Sequence, residues 1–121
     1  MRDETDMTLY GIPNCDTVKK ARNWLTEHGH DYDWHDYKKQ GISAERLAGW
    51  IAQIGWEPLV NKAGTSWRKL DDASKAAVVD AASAIALMQA NPSVIKRPVL
   101  ERNGTITVGY KPETYDALFS R

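Results

Sequence analysis

Along this chain the apolar residues form short periodic runs whose period changes several times. Residues 7–12, MTLYGI, have the β-branched and aromatic character of a short strand, closed by Gly11, Ile12 and Pro13. Val18, Ala21, Trp24 and Leu25 then recur at helical spacing, while Lys19, Lys20, Arg22 and Asn23 fill the opposite arc. That pattern predicts an amphipathic helix from Asp16 to about His28, stopped by Gly29 in a left-handed conformation. In HDYDWHDY, residues 30–37, Tyr32 and Trp34 alternate with Asp31, Asp33 and His35 as in a second strand. Strand, helix and strand with short joins predict a βαβ unit with parallel strands and a right-handed crossover.

From Ser43 the period is helical again. Ser43 is the candidate N-cap, and Leu47, Trp50, Ile51 and Ile54 form the apolar stripe. Residues 57–70, with Pro58, Asn61 and Gly64, read as turns. The alanine-rich stretch that follows predicts two helices meeting near Asp80 and ending at Asn91-Pro92. Two β-like runs, Val99 to Glu101 and Thr105 to Gly109, are joined through Asn103-Gly104, a strong hairpin signal. Lys111-Pro112-Glu113 opens a last helix, with proline in the first turn where its missing N–H costs nothing. The expected order is βαβ, a helical block, then ββα. It describes a single α/β domain over residues 1–121, with 41–91 as an all-helical insertion between the second and third strands and 1–6 as a disordered tail.

Composition narrows the function classes. Sixteen lysines and arginines balance sixteen acids, so no net field draws the chain to nucleic acid or to an anionic membrane. The longest apolar run, Ala81 to Ala90, is well short of the roughly 20 residues that span a bilayer. MRDETD is charged and has no apolar stretch behind it, so no secretory leader is expected. One cysteine forms neither an internal disulfide nor a cysteine-rich zinc site. A cytoplasmic, monomeric protein with a reduced thiol and no membrane or nucleic-acid partner is the expectation.

Cys15 therefore carries the candidate chemistry. It follows Pro13 and Asn14 and stands where the first helix begins. Amides at a helix N-terminus and the helix dipole favour an anion, and a thiolate is one. Lys19, one turn on, adds positive field from the same face. A second signal is Arg97-Pro98, directly before a predicted strand. X-Pro is the bond at which a cis peptide costs little, and a helix-start thiol with a proline of this kind in a βαβ…ββα chain is the layout of a thioredoxin-like fold. His28, His30 and His35 with Asp31, Asp33 and Asp36 lack the ligand spacing of a zinc or iron site, so no metal is expected. Trp50, Trp56 and Trp67 read as packing residues, and NKAGTSWRK lacks P-loop spacing.

Five blocks carry a family resemblance: TLYGIPNCDTVKKA (8–21), HDYKKQGI (35–42), GWEPLVNKAGTSWRKLD (55–71), DAASAIALMQANPSVIKRPVL (80–100) and VGYKPETY (108–115). Together they resemble the arsenate reductase (ArsC) family of the glutaredoxin-coupled type, which also contains the Spx transcriptional regulators, and within it the YffB-like branch. The resemblance implies a thioredoxin-like mixed four-stranded sheet with a helical insertion, and a cis-proline loop facing the cysteine. By position Cys15 matches the family's nucleophile. Arg68 and Arg97 match two of three oxyanion-binding arginines, and the third falls on Lys111, which keeps the charge but loses the planar fork. A histidine four residues before the cysteine is Gly11 here, and the resolving cysteine of a C-x-x-C motif is Val18.

These departures point away from arsenate and toward monothiol exchange, in which glutathione resolves the mixed disulfide. No bound cofactor is implied; glutathione is the co-substrate. Asn14, Lys19, Arg68, Arg97, Pro98 and Lys111 are the candidate substrate- and glutathione-binding residues beside Cys15. Glutathione, glutaredoxin and a small oxyanion or disulfide substrate are the implied partners. Two alternatives stand beside the glutathione-dependent thiol reductase: a glutaredoxin-coupled arsenate reductase, and an Spx-like regulatory module that contacts a protein such as RNA polymerase without catalysis.

Overall fold

Strand β1 (Met7–Gly11) is buried along nearly its whole length and organises the sheet around it. The computed structural model describes residues 7–120, so the tail expected over 1–6 lies outside the described residues. On one side β1 pairs in parallel with β2 (Asp33–Asp36), and on the other it pairs antiparallel with β3 (Val99–Arg102). β3 in turn pairs antiparallel with β4 (Thr105–Val108), giving the mixed order β2-β1-β3-β4. This is the four-stranded α/β thioredoxin-like sheet that the element order predicts. Asn103 and Gly104 both take positive φ, 51° and 87°, as a two-residue hairpin turn requires.

The crossover from β1 to β2 is α1 (Asp16–Glu27), which buries Val18, Ala21, Trp24 and Leu25. Leu9 lies opposite Leu100 in the sheet, and these two with Met7 form the floor on which Ala21, Trp24 and Leu25 pack. Tyr115 of α7 (Pro112–Phe119) completes that core. Each such leucine contributes on the order of 2 kcal/mol through burial. At the end of α1 the chain closes in a full left-handed cap: Gly29 has φ 77°, its N–H donates to Thr26 O (3.1 Å), and His30 N–H donates to Leu25 O (2.9 Å). The cap uses the amide of His30, so β2 begins at Asp33 and not at residue 30. It also ends at Asp36, because Tyr37 opens a one-turn helix.

Residues Tyr37–Lys96 form a second compact unit, distinct from the one that ends at Asp36 and resumes at Arg97. It contains α2 (Tyr37–Gln40), α3 (Ala44–Ile54), α4 (Thr65–Arg68), α5 (Asp72–Ala76) and α6 (Ala81–Ala90). Ser43 caps α3 by accepting from Arg46 N–H at 3.1 Å. Asp80 and Ser83 form a reciprocal capping box at the start of α6, so the second alanine-rich helix begins at Asp80 as expected, while α5 already ends at Ala76. The stretch expected as turns over 57–70 is more ordered: a 3₁₀ turn spans Glu57–Leu59, and α4 follows Gly64. Residues 59–61 are held by long-range bonds, Asn61 N–H to Val94 O at 2.8 Å and Lys96 N–H to Leu59 O at 2.7 Å. Leu47, Trp50, Leu59, Met88 and Ile95 are the buried centre of this unit. No helix among the described residues is long and apolar enough to cross a membrane.

Tyr115 is fully buried, with its ring set edge-on against Trp24 and Tyr110. Its hydroxyl has no hydrogen-bond partner among the described residues. Burial raises its pKa above the ordinary tyrosine value, with the Tyr110 hydroxyl adding to the shift. A raised phenol pKa means that the folded state keeps its proton longer than the unfolded state. Stability is therefore intact below the unfolded value of about 10 and falls as pH rises past it. Tyr115→Phe is expected to leave stability at pH 7 unchanged or raise it by up to about 1 kcal/mol, and to lessen the loss above pH 10. Denaturant melts at the two pH values test this; a clear destabilisation at pH 7 would contradict it.

Candidate functional site

Strand register brings three separate stretches of the first unit to one end of the sheet. Tyr10 of β1 is paired with Val99 of β3, so the loop leaving β1 and the residues entering β3 lie at the same edge. Val99 is also paired with Val108, and Gly109 N–H donates to Pro98 O at 2.8 Å, which adds the exit from β4. The edge thus collects residues 12–15, Arg97-Pro98 and residues 109–111. The Arg97-Pro98 peptide is cis, as the resemblance implies. Pro98 is buried and Arg97 half-buried.

Cys15 is half-buried and is the N-cap of α1, in an extended conformation (φ −130°, ψ 125°). Its carbonyl accepts the first helical bond from Lys19 N–H at 3.0 Å. Its side chain caps none of the first-turn amides, so the helix start offers those donors to an anion beside the thiol. Asp16 in the first turn favours the helix start, and Lys19 stands one turn on from the cysteine. Asn14 is exposed in the turn that precedes the cysteine.

Lys111 is exposed at the N-cap of α7, its carbonyl accepting from Tyr115 N–H at 3.1 Å. It lines an open groove of about 390 Å³ with Thr17, Lys20, Tyr110 and, farther along α1, Glu27. The Tyr110 hydroxyl is held above its usual pKa by partial burial first and by Asp116, Glu27 and Glu113 after it, so it stays protonated at neutral pH. Sequence reasoning picks out Lys111 but misses Thr17, Lys20 and Tyr110. The available signal was helical spacing from Cys15 and the Tyr-Lys-Pro start of α7. Arg68, by contrast, belongs to the second unit, where it is the exposed last residue of α4 and its carbonyl lies 3.4 Å from Lys75 Nζ. Asn14, Cys15, Lys19, Arg97, Pro98 and Lys111 all belong to the first unit.

Gly11 and Val18 are a single packing arrangement. Val18 is fully buried, and a Cβ at Gly11 would stand 2.9 Å from Val18 Cγ2, 3.4 Å from its Cγ1 and 3.6 Å from the Trp34 ring. A side chain at residue 11 and a valine at 18 therefore compete for the same space. The histidines have structural partners. His28 stacks on Trp24 with centroids 3.8 Å apart, His30 stacks on Phe119 at 4.0 Å, and His35 lies against Tyr10 at 4.7 Å. Among the described residues no group of three or more His, Cys, Asp or Glu side chains is placed to hold a metal ion. Trp50 is core, while Trp56 and Trp67 are half-buried and flank the Lys62 ammonium at 6.0 and 5.4 Å.

A thioredoxin-like sheet, one thiol at a helix start and a cis-proline at the same edge define the class: a thioredoxin-fold protein with a single-cysteine site. The chain belongs to the ArsC family, whose model matches residues 10–118. The solved structure of a YFFB protein is similar at 55% identity and a TM-score of 0.88, over 94% of this chain and 99% of that one. An arsenate reductase (ArsC) related protein from Brucella melitensis is 52% identical with a TM-score of 0.75, and each chain is covered completely. The global transcriptional regulator Spx of Streptococcus pyogenes is 27% identical over 118 residues, 95% of this chain and 86% of its own length.

Gly11→Ala is expected to destabilise the protein by about 1–3 kcal/mol, because the γ-carbons of a buried valine cannot swing aside. Adding Val18→Ala should make the Gly11→Ala change markedly less costly in the double mutant. Equilibrium denaturation of the four members of this cycle measures the coupling; additive effects would show that the two positions do not share the space.

Proposed function

We propose that this protein is a glutathione-dependent monothiol reductase acting on disulfides. The observation that carries the reading is the placement of the only thiol in the chain, half-buried at the N-cap of α1, at the sheet edge that also holds cis-Pro98. In the first step the Cys15 thiolate attacks the glutathione sulfur of a mixed disulfide. A Cys15–glutathione bond forms, the original S–S bond breaks, and the substrate leaves as a thiolate. In the second step a free glutathione thiolate attacks the glutathione sulfur of that adduct, releasing oxidised glutathione and restoring the Cys15 thiolate. Two glutathione thiols are oxidised for each disulfide reduced, counting the one already in the mixed disulfide, and the protein needs no second cysteine.

Several features support these roles. First-turn amides of α1 and Lys19 stabilise the anion at Cys15. In this reading the substrate chain docks beside cis-Pro98, and the Lys111 ammonium meets a glutathione carboxylate as a point charge. Lysine at this position lacks the bidentate grip on a tetrahedral oxyanion, which favours thiol exchange over arsenate reduction. The Spx relatives support a second reading, a regulatory module that binds without catalysis. The absence of a C-x-x-C pair, with Val18 in place of the second cysteine, weighs against a redox switch of that kind.

Exposure to oxidised glutathione followed by mass spectrometry of Cys15 separates the readings. A rapidly formed adduct that excess glutathione removes is the expected result. Cys15→Ser should lower glutathione-driven reduction of a model mixed disulfide by about a hundredfold or more. Lys111→Gln should raise the KM for glutathione severalfold with a smaller effect on kcat. A Cys15 that forms no adduct would overturn the enzyme reading in favour of the binding module.

A further inference from the structure

Beyond the thiol, α1 presents a second array of groups. Cys15, Lys19, Arg22 and Thr26 stand at i, i+4, i+7 and i+11, one continuous stripe along the helix. Behind the cysteine this stripe borders a groove of about 380 Å³ lined by Lys19, Arg22, Asn23, Thr26 and Tyr32. Two cations and three hydrogen-bonding side chains line it, and no carboxylate does. Asp33 alternates to the opposite face of β2 from Trp34.

Arg22 is held in place. Its Nε–H donates to the Tyr32 hydroxyl at 3.0 Å, and its guanidinium carbon lies 4.1 Å from the Trp34 ring centroid. Those two contacts use one of its five donors and one face of the plane, leaving the terminal amino groups for the groove among the described contacts. An arginine already fixed by an aromatic face and a hydroxyl has lost its rotamer freedom before a ligand arrives, so an anion bound there does not bear that cost. The matching chemistry is a carboxylate.

We infer that this groove is an anion subsite for a peptide or protein disulfide carrying an acidic side chain two or three residues from its cysteine, an inference that rests on the proposed thiol chemistry of Cys15. Length favours a peptide over a small thiol. Seven helical residues separate the backbones of Cys15 and Arg22 by about 10 Å, the reach of about three residues of extended chain.

The test uses glutathione mixed disulfides of short peptides that are identical except for Asp, Asn or Lys three residues from the cysteine. The Asp peptide is expected to react with Cys15 about three- to tenfold faster than the Asn peptide at low salt, and this preference should collapse at about 0.5 M salt. Arg22→Gln should bring the Asp/Asn ratio close to one. Arg22→Glu should reverse the preference toward the Lys peptide, a gain that a misfolded variant cannot show. Binding of the reduced peptides to Cys15→Ser, followed by NMR shifts at Tyr32 to Trp34, reads the groove without any chemistry. Equal rates for the three peptides, or a glutathione KM that depends on Arg22 while the peptide ratio does not, would overturn the inference and leave the reductase reading standing. A Cys15 unreactive toward every peptide would overturn the reductase reading, and the NMR titration would then decide the groove alone.

Discussion

The antiparallel pairing of β1 with β3 is the contact on which the rest of the first unit depends. It joins stretches separated in sequence by α1, β2 and the whole helical unit, and its register, Leu9 to Leu100 and Tyr10 to Val99, sets both the core and the site. On one face of the sheet this register puts Leu9 and Leu100 under Ala21, Trp24 and Leu25. At the end of the sheet it sets the Cys15 loop beside cis-Pro98, and β4 adds Lys111 through the Gly109 to Pro98 bond. Slipping the pairing by one residue would turn Leu100 to the opposite face and separate the thiol from the proline together. Folding and site assembly are thus one event in this unit.

Most local elements were legible because their causes are local. The stripe Val18, Ala21, Trp24, Leu25, the caps at Ser43 and Asp80, the Asn103-Gly104 turn and the proline start of α7 all depend on residues within a few positions of each other. What escaped was set at a distance or by competition. The start of β2 moved because the cap on α1 consumes the amide of His30, and a turn-like composition over 57–61 became ordered because residues 94–96 supply hydrogen bonds. The pairing of Cys15 with Pro98 came from the element order as a whole, and Lys111 came from the family resemblance. No spacing rule connects positions so far apart, whereas the sheet register does so directly. Arg22 escaped for another reason. In sequence it is one more cation on a solvated arc, and only the neighbouring Tyr32 and Trp34 distinguish it.

The family departures at residues 11 and 18 also change meaning once the packing is known. Read separately, Gly11 lacks a polar partner for the thiolate and Val18 lacks a resolving thiol. In the structure Val18 occupies the space that a side chain at residue 11 would need. Val18 is fully buried and supplies neither a proton acceptor nor a second sulfur. In the proposed monothiol chemistry, resolution falls to an external thiol. Gly11 and Val18 are thus one steric arrangement and not two unrelated departures.

Helix α1 therefore divides its surface among three tasks. Its apolar stripe anchors it to the sheet, its N-terminus faces the thiol, and its remaining arc carries Lys19, Lys20 and Arg22. Cations on a solvated arc usually do little, because water screens them and flexible stems dilute their effect. Lys20 is an exposed side chain of that ordinary kind. Arg22 differs in that its plane rests on Trp34 and its Nε is bound to Tyr32, so its charge has a fixed direction relative to the helix axis. A fixed charge some two turns behind a nucleophile does little for the reactivity of the sulfur, since screening in water removes most of its field at that distance. In the proposed subsite it acts instead on the chain that lies along the helix, and so bears on the choice of substrate rather than on the rate of the sulfur chemistry.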